Sequence, residues 1–423
     1  MLAPLAALGL FAAGAAAAAD GVKIIAVPDP EATTNFTLSG IVMLALRESP
    51  DLRSFRARRE DSQERTARER ALPNPMFNFA GMMDRPRETT WPESRERQLG
   101  LQQEFPGFGK RELRVGIASQ DAAMAGYDLE VAARQVVMTL KEAYFDLISI
   151  QRVRAAARQD GDVLERLENL ARARDATGGT APRETTQAQA AMTQFRKQMA
   201  DLEAREKTLK ARLNALTNRR ADAPLELAAS VPQIPETGGV EGLLALASAN
   251  RPEIRAAEAS VQRNELDRQL KGRESVPDYK LGLQYRRNSD NTEGVLFTLG
   301  FGLPLWHRTN EVGVREAERL VAASRAEQKD AEQAIAQEVR AAYDRVQAAR
   351  KTFDHCQREL VPQAGARFQA SEARYQSGQT GFSELLESQR VFLDARVLEI
   401  MAEGDVGAQF ARLERAVGVE MLK

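Results

Sequence analysis

Several residue types that commonly build functional sites are scarce in this 423-residue chain. It has one cysteine, Cys356, and two histidines, His307 and His355. A single cysteine excludes an intrachain disulfide framework and a cysteine-based zinc cluster. Two histidines leave little for metal ligation or acid–base work, so no metal, cofactor or catalytic centre is expected. Aromatic residues are 6% of the chain, thin for a compact enzyme core. No excess of positive charge is present: 59 Lys and Arg face 60 Asp and Glu, a formal net charge of -1. That disfavours nucleic acid as a partner. After Asp20 no apolar run approaches the roughly 18 residues of a spanning helix. The opening "MLAPLAALGLFAAGAAAAAD" is apolar through Ala19 and ends in Ala17-Ala18-Ala19. It reads as a signal peptide, residues 1–19, although no Lys or Arg precedes the apolar stretch. An exported protein without a helical anchor is expected.

What is abundant is charge in helical register: 28% of residues are Asp, Glu, Lys or Arg. Three apolar seams step by four and three, the coiled-coil spacing. One runs Leu129, Ala133, Val136, Leu140, Ala143, Leu147, Ile150. A second runs from Met192 through Phe195, Met199, Leu202, Leu209 and Leu213 to Leu216, broken at Glu206. The third runs from Ile335 through Val339, Ala342, Val346, Ala349, Phe353 and Cys356 to Leu360. Cys356 thus reads as a packed thiol beside a surface His355, not as a ligand pair. Long helices are expected over about 110–175, 183–217, 309–376 and 383–417; the longest would extend roughly 100 Å.

The chain also repeats itself. Pro50-Asp51-Leu52-Arg53 matches Pro252-Glu253-Ile254-Arg255, Pro106 matches Pro304, "KEAYFDL" (141–147) matches "RAAYDRV" (340–346), and "ARDATGGTAPRE" (173–184) matches "ARYQSGQTGFSE" (373–384). The offset stays between 198 and 202. The expected organisation is a first repeat over 20–217, a proline-containing linker over 218–240 and a second repeat over 241–423. Each repeat reads as a helix, two strands, a very long helix, a glycine-containing turn and another long helix.

The strands, about 75–84, 97–105, 278–287 and 294–303, differ from the helices around them. In "VLFTLGFGLPL" (295–305), Val295, Phe297, Leu299, Phe301 and Leu303 take every second position. Tyr279, Leu281, Leu283 and Tyr285 alternate with Lys280, Gly282, Gln284 and Arg286. Period-two alternation over nine or ten residues is the pattern of a tilted strand crossing a bilayer. Four strands cannot close a barrel, and open edges are not tolerated in lipid, so copies must share one. Two copies give eight strands with a filled interior, and three give twelve, which can leave a lumen. Met76, Met82 and Met83 read as apolar strand filling and "GFGK" (107–110) as a strand-to-helix turn. A periplasmic adaptor or a coiled-coil scaffold is the alternative reading. The former would carry one hairpin in a β-rich body, and the latter would need no greasy strand face.

The twofold plan, the "FPGFGKR" junction (105–111) and the "RYQSGQTGFSELLESQ" turn (374–389) resemble TolC-type outer membrane efflux proteins. "PNP" (73–75) and that junction are most similar to heavy-metal efflux components of the cobalt–zinc–cadmium and copper–silver type. The resemblance implies a mainly α chain with transmembrane β: a trimeric twelve-stranded barrel, four strands per chain, continuing into an α-helical tunnel. It implies an outer membrane of a Gram-negative bacterium, with the helices in the periplasm, a homotrimer, and docking through a periplasmic adaptor onto an inner-membrane pump. It also implies that Glu384 and Glu387 ring a periplasmic aperture and that Tyr375 helps hold it shut. Thr380 departs from the arginine of the best-known members. The turns at 175–181 and 375–382, with Arg174, Gly178, Arg374 and Gly378, would be the adaptor-contact tips. No cysteine follows the signal, so the lipid anchor of many members is not expected.

Overall fold

The computed structural model describes residues 35–82, 96–176, 182–227, 232–288, 290, 292–302 and 307–421; the signal segment and Met83 lie outside them. In chain order the elements are β1 (Asn35–Phe36), α1 (Leu38–Glu48), α2 (Pro50–Arg70), β2 (Met76–Met82), β3 (Glu96–Phe105), α3 (Lys110–Ala176), α4 (Pro182–Leu216) and β4 (Glu226–Leu227). The same order then recurs as α5 (Val240–Asn250), α6 (Pro252–Gly272), β5 (Tyr279–Asn288), β6 (Glu293–Phe301), α7 (His307–His355), a π turn (Cys356–Leu360), α8 (Val361–Gln376) and α9 (Phe382–Val417). The single helix expected at the start of each half is two helices. Pro50 and Pro252 each open the second one, where a missing N–H costs nothing.

The main core lies where α1, α3, α5, α7 and α9 meet, among Ile41, Leu140, Leu147, Val346 and Leu413. It encloses an ion pair: Lys141 Nζ lies 2.6 Å from Glu414 Oε2, and both side chains are buried. Arg251 closes the end of α9 by donating to the carbonyls of Arg415 and Ala416 at 2.8 and 3.0 Å. Beside this core β1 pairs in parallel with β4, in the stretch expected to be only linker.

Towards the sheet, α3 packs against α2 and α6, and α7 against α6; in the other direction α3 packs on α4 and α9, and α8 packs on α9. At 67 residues, α3 is about 100 Å long. The first seam is buried as spaced, with Leu140 and Leu147 fully enclosed. The break in the second seam has a cause. Glu206 accepts from Arg154 of α3 at 2.5 Å and from Gln151 at 3.3 Å, and it pairs with Lys210 at 2.9 Å. Burial by itself would push its carboxyl up, but these donors overcome that and hold it down at about 2. The third seam holds through Cys356 and then departs from the expected spacing: Leu360 is 38% exposed. The π turn inserts a five-residue step from Cys356 to Val361, after which Ala364, Phe368, Ser371 and Tyr375 resume the inward face.

The sheet is antiparallel with the order β2-β3-β5-β6, the central β3–β5 pair joining the two halves. Its register aligns Phe79, Leu99, Tyr285 and Val295 across the strands, and Phe77, Leu101, Leu283 and Phe297 beside them. This face is apolar and open, with Phe297 66% and Phe77 67% exposed. The opposite face is polar: Asn78 donates to Gln102 at 3.3 Å, and Arg286 pairs with Glu96 at 3.3 Å. Met76 takes the polar-face register beside Gln102, so it does not fill the apolar face. Residues 106–109 form the strand-to-helix turn. The Gly107 N–H and Lys110 Nζ both donate to Asp278 Oδ1, at 2.7 and 3.0 Å.

Candidate functional site

The end of the helices far from the sheet brings the two halves together. Tyr375, in the last turn of α8, is 1% exposed and packs with Leu167, Ala171, Ala188, Phe382 and Leu385. Its ring lies 5.6 Å from that of Phe382, at an interplanar angle of 57°. Its hydroxyl donates to Glu184 Oε2, at 3.0 Å, in the first turn of α4. One residue pair further along, Ser383 donates to Gln187 Oε1 at 3.0 Å. The α8–α9 tip is therefore fastened to α4 by side chains 191 and 196 residues apart in sequence.

Glu384 and Glu387 are both exposed on α9, and Glu384 accepts from the Thr380 hydroxyl. The corresponding acid of the first repeat, Glu184, is turned to Tyr375 instead. The double acid consequently belongs to the second repeat alone, while the tyrosine's acceptor comes from the first. Period and spacing identify Glu184 as the counterpart of Glu384 but give no sign that it is Tyr375's partner.

Between α8 and α9, Gly378 has a φ of +77°, which stops α8, and its N–H donates to the Tyr375 carbonyl at 3.1 Å. Arg374 is exposed in the last turn of α8, and its carbonyl accepts from the Gln379 N–H at 2.8 Å. Arg174 belongs to the last turn of α3, but its side chain lies outside the described residues, as does Gly178. Sequence reasoning missed Asp160 of α3, which is buried near Gln389 of α9. Burial pushes its carboxyl up, and the contact with Gln389 offsets that only in part.

Two helical hairpins flank one four-stranded sheet with an apolar outer face, unlike the single hairpin of an adaptor. The model of the outer membrane efflux protein family matches residues 41–219 and 243–419, nearly all of the described chain and once per half. The chain belongs to the outer membrane efflux protein family. The cobalt-zinc-cadmium resistance protein CzcC of Cupriavidus metallidurans is 20% identical over 399 residues, 94% of each chain. The pyoverdine export outer membrane protein OpmQ of Pseudomonas aeruginosa is 24% identical over 76% of this chain and 68% of its own. The fold is shared with the open-state MtrE outer membrane channel of Neisseria gonorrhoeae. There the TM-score is 0.76 at 19% identity, covering 90% of this chain and 89% of that one. This efflux protein is located in the outer membrane, and the scaffold and adaptor readings are set aside.

Proposed function

We propose that three copies of this efflux protein close their sheets into one twelve-stranded barrel, continued by the long helices as a periplasmic duct. The observation that carries the reading is the sheet: its outermost strands β2 and β6 end it on either side, and its exposed apolar face suits lipid. Unpaired strand edges cost several kcal/mol per polar group in a bilayer, so β6 of one copy pairs with β2 of the next. Three copies line a lumen with the polar face of Gln102, Lys280 and Arg286. Each chain is two copies of one unit, 20–217 and 241–423, joined by 218–240 and preceded by a signal over 1–19. Mass measurement in mild detergent is expected to give three copies. A stable monomer or dimer with native secondary structure would overturn the barrel.

The tip is the aperture of this duct. Six carboxylates, Glu384 and Glu387 from each copy, face one opening and attract cations. Divalent metal ions are the cargo this field favours, in keeping with the metal-resistance relative; the siderophore-exporting relative supports a small organic compound as the second reading. Conduction is passive, and energy comes from an inner-membrane pump reached through a periplasmic adaptor that meets the tips at Arg174 and Arg374. Glu384→Gln with Glu387→Gln is expected to lower cation selectivity and divalent block in planar bilayers while the trimer persists. Unchanged selectivity and block would leave the two acids as favourable charges at the start of a helix, typically worth about 0.3–1 kcal/mol each. Charge reversal of both arginines is expected to abolish adaptor crosslinking; retained crosslinking would leave them only a role at the helix C-termini.

A further inference from the structure

The apolar face of the sheet does not stop where the strands end. Phe105, Tyr279, Leu281 and Leu299, from three adjacent strands, run on to Leu72 and Phe108 and enclose a groove of about 420 Å³. Phe108 forms its wall in the strand-to-helix turn. It is 76% exposed, and its ring stands edge-on to Tyr279 with centroids 5.7 Å apart. The turn is held from behind, because Arg273 Nη1 donates to the Phe108 carbonyl at 3.0 Å and Asp278 binds the Gly107 N–H. An aromatic ring fixed outwards in this way calls for an apolar cover, since removing its apolar surface from water is favourable. At the mouth of the groove stand one cation and one anion, Arg111 and Glu112, 3.6 Å apart and both exposed.

We propose that this groove is a binding site for a glycerophospholipid with a zwitterionic head group, a reading that rests on the membrane placement of the sheet proposed above. An acyl chain lies against Tyr279, Leu281 and Leu299, the glycerol region packs on Phe108, the phosphate meets Arg111 and the ammonium meets Glu112. Three observations select this occupant. The groove is continuous with the lipid-facing surface. It lies where strands of nine and ten residues give way to helix, the depth at which aromatic side chains and head groups meet. Its paired charges complement a head group that carries both signs, whereas an anionic head group would place its charge beside Glu112. The groove is built on side chains projecting from the sheet face, so pairing of the β2 and β6 edges between copies leaves it open.

Native mass spectrometry of the detergent-purified protein, offered phosphatidylethanolamine and phosphatidylglycerol in equal amounts, tests the assignment. Wild type is expected to retain up to one phosphatidylethanolamine per chain, about fivefold or more over phosphatidylglycerol. Arg111→Gln is expected to lower that retention about tenfold, Glu112→Gln to erase the preference between the two lipids, and Phe108→Ala to weaken both. Equal retention of the two lipids by wild type, or retention indifferent to all three substitutions, would overturn the site. The same spectra report copy number independently: lipid selectivity carried by a species other than a trimer would fault the barrel and leave the groove standing.

Discussion

At the residue scale one buried hydroxyl ties the two halves together at the tip. Tyr375 spends it on Glu184, so the bond spans the two halves and resists separation of α8 from α4. A hydrogen bond to a carboxylate contributes about 1.5–3 kcal/mol. Tyr375→Phe keeps the ring packed against Phe382 and removes only the hydroxyl. Single-channel recording is expected to show the open state of the tip favoured roughly tenfold, which corresponds to about 1.4 kcal/mol. An unchanged opening frequency would show that packing alone holds the tip. Tyr375 and its acidic neighbours were legible in the sequence through the resemblance of the turn. The partner was not, since a bond between residues 191 positions apart leaves no periodic trace.

At the scale of elements, two irregularities in the seams have physical explanations. Glu206 occupies a core position of α4 because three donors await it there, two of them from α3. Its folded carboxyl sits at about 2 against an ordinary 4.5, so the cluster's contribution is complete above about pH 4.5 and is lost as pH falls towards 2. Thermal melts across that range are expected to show an acid-sensitive component that Glu206→Gln removes. The substitution should also cost roughly 2–3 kcal/mol at neutral pH, because Arg154 and Lys210 lose their anion. A parallel acid limb in wild type and variant would assign the sensitivity elsewhere.

The other irregularity is the π turn. Between the repeats the sequence offset is 199 at "KEAYFDL" and 200 at "ARDATGGTAPRE", and the additional residue falls in Cys356–Leu360. Continued four–three steps from Cys356 would bring Arg374 to the packed face; the five-residue step brings Tyr375. Deleting Gln357 converts this step to an ordinary helical one and keeps the inward face. It is expected to leave melting temperature and tip packing intact. Deleting Ala370, the same loss outside the turn, rotates Tyr375 by about 100° and is expected to lower the melting temperature by several degrees. Equal effects of the two deletions would refute this account of the register.

For the whole molecule the decisive property is the two-sidedness of the sheet. In the proposed barrel, Phe297→Arg puts a charge on the face turned to lipid, at a cost of about 2–4 kcal/mol near the bilayer midplane. Its neighbour Thr298→Arg points to the polar face. Heat-modifiable gel mobility after refolding into vesicles is expected to show failed assembly for the first and normal assembly for the second. Failure of both, or of neither, would contradict the assignment of faces.

The two-faced strands, the long helices and the family were determined by sequence alone, because alternation, four–three spacing and repeated motifs are local properties that each segment carries by itself. The division of each opening helix was not legible there: Pro50 and Pro252 match as repeat residues, and only the structure shows that each opens a second helix. Tertiary structure alone decided which segments meet. The two-residue strands β1 and β4 are too short to show a period, yet β4, inside the linker, pairs with β1. The β3–β5 register, the Lys141–Glu414 ion pair and the Tyr375–Glu184 bond join residues more than 170 positions apart. Each exists only once the elements that carry its two sides have packed, as α3 and α9 do around Lys141 and Glu414. Burial then determines that a charged side chain in an apolar seam must find its counterion or stay out.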